Sequence, residues 1–391
     1  WIDSVNSTRA TFSGFVVSVF VRPFFECCII TPFFANCYTF GSVILVRFVR
    51  RCIAPFAHGN PYFVKPFNLA SIANSAVFVP CFARPFFEDL APNVGFMVAD
   101  LKNEYRGIKG LNALYRRLTA KQFTAIADLH SVLRSGYLRM RFNLGRYRVE
   151  HIDKHRKGRR QITSASHKEL VQQPTSFQNY LEVFAKLGYP VDIKFKSIFP
   201  DEGGNLNMLP AGMCVKKSYE QWIGVAPFAA HEGKTYPPRL MHQVIEQLIN
   251  KYPKARIFLF GRGEQETQYF TEWSQQHSAC VNVGEQLESM QQELILMSHL
   301  DVMISMDSSN MHMASLTNTP VISVWGATHP YAGFMGWGQS EENAVQIPLD
   351  CRPCSIFGQK PCLRGDYACM RNIAPEAIVE KVEKVLKRAE P

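Results

Sequence analysis

Residues 301–328 read DVMISMDSSNMHMASLTNTPVISVWGAT, and the order of residue types in this stretch decides the fold. The apolar run Val302-Met303-Ile304 leads into a polar turn at 305–309. A helical segment with His312 and Ala314 follows, then Thr319-Pro320, a second apolar run at 321–325, and the turn Gly326-Ala327-Thr328. Strand, polar loop, helix, strand and glycine loop make one βαβ unit of an open parallel sheet. In such sheets ligands lie beyond the carboxyl ends of the strands, where a helix N-terminus offers free N–H groups to phosphate. Both polar loops fall at those ends. Asp307 is expected to open the helix, either as a plain N-cap, favoured by about 0.5–2 kcal/mol, or as a carboxylate kept for a ligand. Ser308, Ser309 and Asn310 add short hydrogen-bonding groups beside it.

The same pattern repeats upstream. Residues 222–227 (WIGVAP) read as the first strand of a second α/β domain, followed by the loop FAAHEGKTYP at 228–237. Pro238 and the spacing of Leu240, Met241, Val244, Ile245, Leu248 and Ile249 then mark an amphipathic helix. Residues 255–260 (ARIFLF) are a buried strand ended by Gly261-Arg262-Gly263-Glu264, a glycine turn short of a full dinucleotide fingerprint. A helix at 293–298 leads into the central stretch. The polar, glycine-bearing segment 199–217 holds the interdomain linker, placed at 206–217.

Before it, residues 123–130 form a strand ending in Asp128 and His130, and 131–135, with Arg134, begin a helix. The run HIDKHRKGRR at 151–160 is either a solvated face or a contact for phosphates or anionic lipid headgroups. At the far end, 375–388 is an amphipathic, lysine-rich helix. The expected division is an anomalous segment 1–80, an N-terminal domain 81–205 that also takes strand 42–48, the linker, a C-terminal domain 218–374, and a terminal helix 375–391.

Composition narrows the function. With 391 residues, 47% hydrophobic and 19% charged, the chain suits a globular enzyme of two domains. A formal charge of +10 fits nucleic acid, an anionic membrane surface or anionic small substrates. No arginine-rich tail or aromatic-basic signature favours nucleic acid. No uninterrupted apolar run approaches the roughly 18 residues of a membrane-spanning helix; the nearest, around 15–45, is broken by Arg22-Pro23, Glu26 and Pro32. The reading is a cytoplasmic protein, peripheral to a membrane at most.

The eleven cysteines do not form an evenly spaced secretory framework. Cys351, Cys354, Cys362 and Cys369 cluster, and either bind a structural zinc tetrahedrally or pack a loop as reduced thiols. The first 80 residues are of a different kind. Phenylalanines crowd there without period two or 3.6, and prolines interrupt any helix or central strand. Only residues 42–48 (SVILVRF) look like a buried parallel strand.

The central stretch resembles the C-terminal signature of the lipopolysaccharide heptosyltransferases, glycosyltransferase family nine. That pattern is Asp-Ser/Thr-Gly-x-x-His-x-Ala, then Pro, apolar residues and Gly-x-Thr. Here it stands as Asp307-Ser308-Ser309-Asn310-Met311-His312-Met313-Ala314, Pro320 and Gly326-Ala327-Thr328, with Ser309 at the position of the family's glycine. The resemblance covers roughly 82–388 and is most specific over 222–328. It implies a GT-B fold, two Rossmann-like domains facing across a cleft. The implied reaction moves a heptose, with inversion, from ADP-heptose to a lipid A-core acceptor at the bacterial inner membrane, without a catalytic metal.

By the same resemblance Lys234, before Tyr236-Pro237, contacts the donor diphosphate. Glu264, with Glu266 as fallback, touches the ribose. Asp307 binds sugar hydroxyls, and Ser308, Ser309, His312, Gly326 and Thr328 complete the donor pocket. Asp128, His130 and Arg134 match an acceptor-side element, with a strand-end cap or a surface ion pair as the alternative for each, and the Cys351–Cys369 pattern is shared by many members.

The family's catalytic base sits in a Gly-Asp loop after the first strand. Here Phe48 is followed by Val49-Arg50-Arg51-Cys52, with neither glycine nor aspartate. The sharp edges of the anomaly favour a slipped reading frame between about Phe48 and Pro80 over a diverged domain. Asp128 is the weak substitute base. Three functions stay open: a heptosyltransferase impaired at its N-terminus, a GT-B sugar-nucleotide epimerase, and a non-catalytic nucleotide-sugar binder.

Overall fold

The computed structural model describes residues 43–46, 75–79, 94–101, 103–123, 125–190, 192–199 and 201–389. It divides into two compact units, Trp1–Lys154 with Phe177–Lys194, and His155–Ser176 with Phe195–Pro391. The loop after Phe48 and most of the anomalous N-terminal segment lie outside the described residues.

The first unit is a five-stranded sheet of β1 (Val43–Val46), β2 (Ser75–Val79), β3 (Val94–Val98), β4 (Ala125–Asp128) and β5 (Arg148–His151), in the order β3-β2-β1-β4-β5. Helix α1 (Gly107–Thr119) buries Leu111, Leu114 and Leu118, the spacing of one helical face. Helix α2 (Leu133–Leu144) adds Leu138 and Phe142 to the same core, against Ile126 and Ala127 of β4. β1 runs antiparallel to both β2 and β4, while the pairs β2–β3 and β4–β5 are parallel. The parallel strand read at 42–48 is therefore corrected in direction. Four consecutive apolar residues fit the middle of a sheet either way round, and periodicity carries no sign for direction.

The chain then enters the second unit with α3 (Arg156–Ile162), returns to the first with α4 (Ser176–Lys186), and crosses again at 194/195. The segment read as a linker belongs to the second unit. Leu209 and Met213 are buried, and Gln292 Nε2 donates to the Met208 carbonyl at 3.0 Å. Its polar letters hide two apolar anchors.

The second unit is built on six parallel strands: β6 (Trp222–Ala226), β7 (Arg256–Leu259), β8 (Cys280–Asn282), β9 (Val302–Met306), β10 (Val321–Val324) and β11 (Ala344–Val345). β6, β9 and β10 are buried along their whole length, as expected for a parallel sheet covered on both faces. Helices α5 (Pro238–Lys251), α6 (Glu264–Gln276), α7 (Val283–Gln286), α8 (Met290–Met297), α9 (Ser309–Leu316), α10 (Ala368–Arg371) and α11 (Pro375–Ala389) complete it. Proline at the start of α5 supplies a preset φ where no N–H is needed. The terminal helix packs into this unit's own core through Ile378, Val382 and Val385, beside Val244, Ile245 and Leu248 of α5.

Strand order is β11-β10-β9-β6-β7-β8. The chain winds outward from β6 through β7 to β8, then restarts at β9 and winds the other way. The reversal falls between β6 and β9, and in doubly wound sheets a crevice opens at the carboxyl ends of just such a pair.

Candidate functional site

Three loops leave the carboxyl ends of β6, β9 and β10, which are neighbours in the sheet, and the structure ties them together. The loop after β6 ends in a single 3₁₀ turn, Glu232–Lys234. Lys234 Nζ stands 3.2 Å from Asp307 Oδ2, at the start of the β9 loop. The Gly233 carbonyl accepts the Ala327 amide of the β10 loop at 2.8 Å. A Cβ at Gly326 would come within 2.6 Å of that same carbonyl, so only glycine allows the two loops to approach. Lys234, Asp307 and the 326–328 turn thus share one place.

Asp307 does not cap the helix. The N-cap of α9 is Ser308, extended at φ −143°, with no side-chain cap bond, and Ser309 is the first helical residue. Ser308 Oγ lies 3.3 Å from Ser305 Oγ instead. Asp307 is 4% exposed, and its Oδ2 has the Lys234 ion pair but no contact of hydrogen-bond geometry. Thr328 is fully buried and its hydroxyl has no partner among the described residues. Buried oxygens left like this are costly in a finished protein and suit a bound polar ligand. His312, on α9, is buried, and burial pushes its imidazole down to about 4, so it is neutral at pH 7; Asp307 opposes that shift and Lys234 adds to it.

Two parts of this arrangement escape a sequence reading. Arg352 is buried and reaches four acceptors: the carbonyls of Gly326, Thr328 (2.9 Å) and Ile347 (2.6 Å), and Gln346 Oε1 (3.0 Å). It holds the 326–328 turn from behind. Gly358, at φ +80°, lies so close to the Lys234 stem that a Cβ there would sit 2.5 Å from Lys234 Cδ. The cysteine loop therefore braces the lysine. No motif spacing announces either contact: Arg352 reaches the Gly326 and Thr328 carbonyls 26 and 24 positions back in the chain, and Gly358 meets a lysine far earlier still.

The other expected residues divide. Glu264 is exposed at the first turn of α6. Glu266 Oε2 accepts the amides of Arg262 (2.9 Å) and Gly263 (3.0 Å). Asp128 is fully buried and spent: Oδ1 accepts the amides of His130 (3.0 Å) and Ser131 (2.8 Å), and Oδ2 pairs with Arg139 at 2.9 Å. It is a strand-end cap, and its role as substitute base is withdrawn. His130 Nδ1 is buried without a partner among the described residues, and burial, helped by Lys154, pushes the ring down to about 3. Arg134 is exposed on α2, and Arg139, one turn further, takes the aspartate.

Cys351, Cys354, Cys362 and Cys369 line one cavity of about 10 Å³, room for a single water or ion, together with Arg352, Lys360 and Arg364. No three of their sulfurs lie within 4.8 Å of one another. Burial raises the thiols of Cys354 and Cys369, the latter to about 11. None of the four is in a disulfide. Of the basic run, Arg156, Lys157 and Arg160 are exposed, while Arg159 stacks over the Phe334 ring at 4.6 Å. No helix among the described residues is long and apolar enough to cross a membrane.

Two α/β units, the second with three loops meeting at the reversal of its parallel sheet, are those of the GT-B fold class. The chain belongs to glycosyltransferase family 9 (heptosyltransferase), whose profile matches residues 111–362. Lipooligosaccharide heptosyltransferase 2 of Campylobacter jejuni is 27% identical over 89 residues, 23% of this chain, and the match spans only 27% of that protein's length. Solved structures reach further at lower identity. A glycosyltransferase family 9 protein from Veillonella parvula has TM-score 0.59 at 14% identity, covering 98% of this chain and 100% of its own. ADP-heptose lps heptosyltransferase II of E. coli has TM-score 0.55 at 15% identity, covering 96% and 99%. E. coli heptosyltransferase WaaC with ADP has TM-score 0.55 at 13% identity, covering 95% and 99%.

Proposed function

We propose that the chain binds a nucleotide-diphosphate sugar, ADP-heptose in class, and transfers the sugar with inversion to a hydroxyl of a lipid A-core acceptor. The observation that carries this reading is the 3.2 Å pair of Lys234 and Asp307 at the sheet reversal, joined to the 326–328 turn through Gly233. Family membership, and relatives whose names specify ADP-heptose and lipooligosaccharide, support the donor and acceptor classes.

As the glycosidic bond breaks, charge grows on the departing diphosphate. The Lys234 ammonium and the free amides at the start of α9 would hold that charge, with no metal needed. Donor phosphate would draw Lys234 away from Asp307, and the freed carboxylate would accept the sugar's hydroxyls. Thr328 Oγ1 would gain the partner it lacks, and neutral His312 would line the pocket beside Gly326. Ser308 and Ser309 would supply hydroxyls at the helix mouth, and Glu264 would take the ribose. His130 and Arg134 are proposed on the acceptor side.

Proton removal from the acceptor is the weak step. With Asp128 spent and no Gly-Asp loop after Phe48, the rate would fall by about 10²–10⁴. Such an enzyme would work at the cytoplasmic face of the inner membrane, where a charge of +10 suits an anionic glycolipid. A structural zinc on the four cysteines would brace Lys234 through Gly358.

The test is to incubate the chain with ADP-heptose with and without heptose-free lipid A-core. Slow, acceptor-dependent heptose transfer supports the reading, and a graft of a Gly-Asp loop after Phe48 should speed it. Conversion of the nucleotide sugar without acceptor would make the chain an epimerase instead. Donor binding with no transfer, even after the graft, would leave a binding protein.

A further inference from the structure

Away from the donor loops, His242 and Glu246 stand four residues apart on α5, and so on one face of it. The third member, His277, is the residue that ends α6. One ligand atom from each of the three lies within 4.8 Å of the others, and the two Nε2 atoms are 3.1 Å apart. None of the three touches the proposed chemistry.

The group is held from several sides. The His242 ring stacks on the buried indole of Trp273, with planes 8° apart and centroids at 5.5 Å, which fixes its plane. The His277 backbone is pinned twice, its amide to the Trp273 carbonyl and its carbonyl to the Cys280 amide, both at 2.9 Å. Two imidazoles bound to one tetrahedral zinc at 2.0–2.1 Å stand about 3.3 Å apart. The observed pair is already within a few tenths of an ångström of that spacing. Both rings are half-buried, so an ion reaches them from solvent.

We propose that His242, Glu246 and His277 bind one divalent transition-metal ion, zinc in class, which clamps α5 to the end of α6. Without metal, one ring donates its Nε2–H to the other's Nε2. On binding, the donor ring releases its Nε2 proton and takes one up at Nδ1 from solvent, so both Nε2 lone pairs face the ion, and Glu246 closes as third ligand by a change of side-chain rotamer. Two imidazoles and a carboxylate with an open fourth position are a zinc or cobalt donor set. The clamp is structural: α5 begins four residues after Lys234, so it steadies the helix that follows the lysine loop.

The experiment uses the full chain, free of any histidine tag and stripped of metal, titrated with Co²⁺ and, separately, Zn²⁺. Expected is a cobalt spectrum with ligand-field bands of a nitrogen-oxygen set, present in wild type and in a Cys351→Ser/Cys354→Ser double variant. His277→Gln and Glu246→Gln should each lose or weaken it by tenfold or more. Zinc should raise the thermal midpoint of wild type and of the cysteine variant by a few degrees, and of His277→Gln by less. If His277→Gln binds as many equivalents as wild type with the same spectrum, or if all cobalt absorption is thiolate charge transfer lost in the cysteine variant, the site is not there.

Discussion

The two sheets follow the same winding, β3-β2-β1-β4-β5 in one unit and β8-β7-β6-β9-β10-β11 in the other, but they treat their first strand differently. In the second unit β6 is parallel to β9, with Ala226 beside Ser305, so the loops after both strands emerge at one edge. In the first unit β1 is antiparallel to β4, with Val43 beside Asp128. The loop after β6 joins the loop after β9 through Lys234 and Asp307. An aspartate stands at the end of the fourth strand in each unit, in different surroundings. Asp128 is consumed by two amides and Arg139; Asp307 faces a single ammonium and keeps an oxygen without a hydrogen bond.

That contrast can be broken by mutation. The largest effect is expected at Asp307: Asp307→Asn should lower heptose transfer or donor hydrolysis by about 10²–10³-fold, the usual loss when a preorganised polar contact is removed from an active site. Steady-state kinetics on donor would show it. Arg352→Met should come next, because it strands the carbonyls behind the 326–328 turn, each costing about 1–3 kcal/mol if left unpaired. Urea unfolding should register a loss of about 3 kcal/mol, with donor affinity falling in parallel.

Asp128→Asn should cost less, about 1–2 kcal/mol in the same unfolding measurement, and leave ADP affinity untouched. A large change in nucleotide binding from that variant would erase the distinction between the two aspartates. A further effect is in pH. His312 and His329 are both pushed down to about 4 by burial, from an ordinary value of 6.5. A histidine with a lowered folded pKa binds fewer protons folded than unfolded, so stability falls as pH drops from about 6.5 towards 4. The slope is at most about 1.4 kcal/mol per pH unit for each ring. His312→Asn should flatten the profile of unfolding midpoint against pH.

The sequence made the second unit readable and the first only partly so. Buried parallel strands announce themselves as apolar runs, and the loops between them carried Lys234, Asp307 and Gly326 in recognisable order. Strand direction in the first unit was not readable, since Val43 to Val46 are apolar whichever way they run. Glu266 and Asp128 could not be placed from sequence for one shared reason. A carboxylate that caps a turn and one that awaits a ligand look alike until the amides around them are counted. Arg352 was invisible because its acceptors are main-chain carbonyls, which no residue type specifies. Asp307 also corrected a local expectation: the position before the helix belonged to Ser308, leaving the acid for the lysine.

The central claim is that Lys234, Asp307 and the 326–328 turn serve one diphosphate, and nucleotide binding to the full chain addresses it most directly. Calorimetric titration with ADP should give saturable binding, weakened about tenfold or more in Lys234→Ala, in line with the 1.5–3 kcal/mol typical of a hydrogen bond to a charged group. If ADP binds no better than an equal concentration of sulfate, or equally well to Lys234→Ala, the loops meet for some other purpose and the account is wrong.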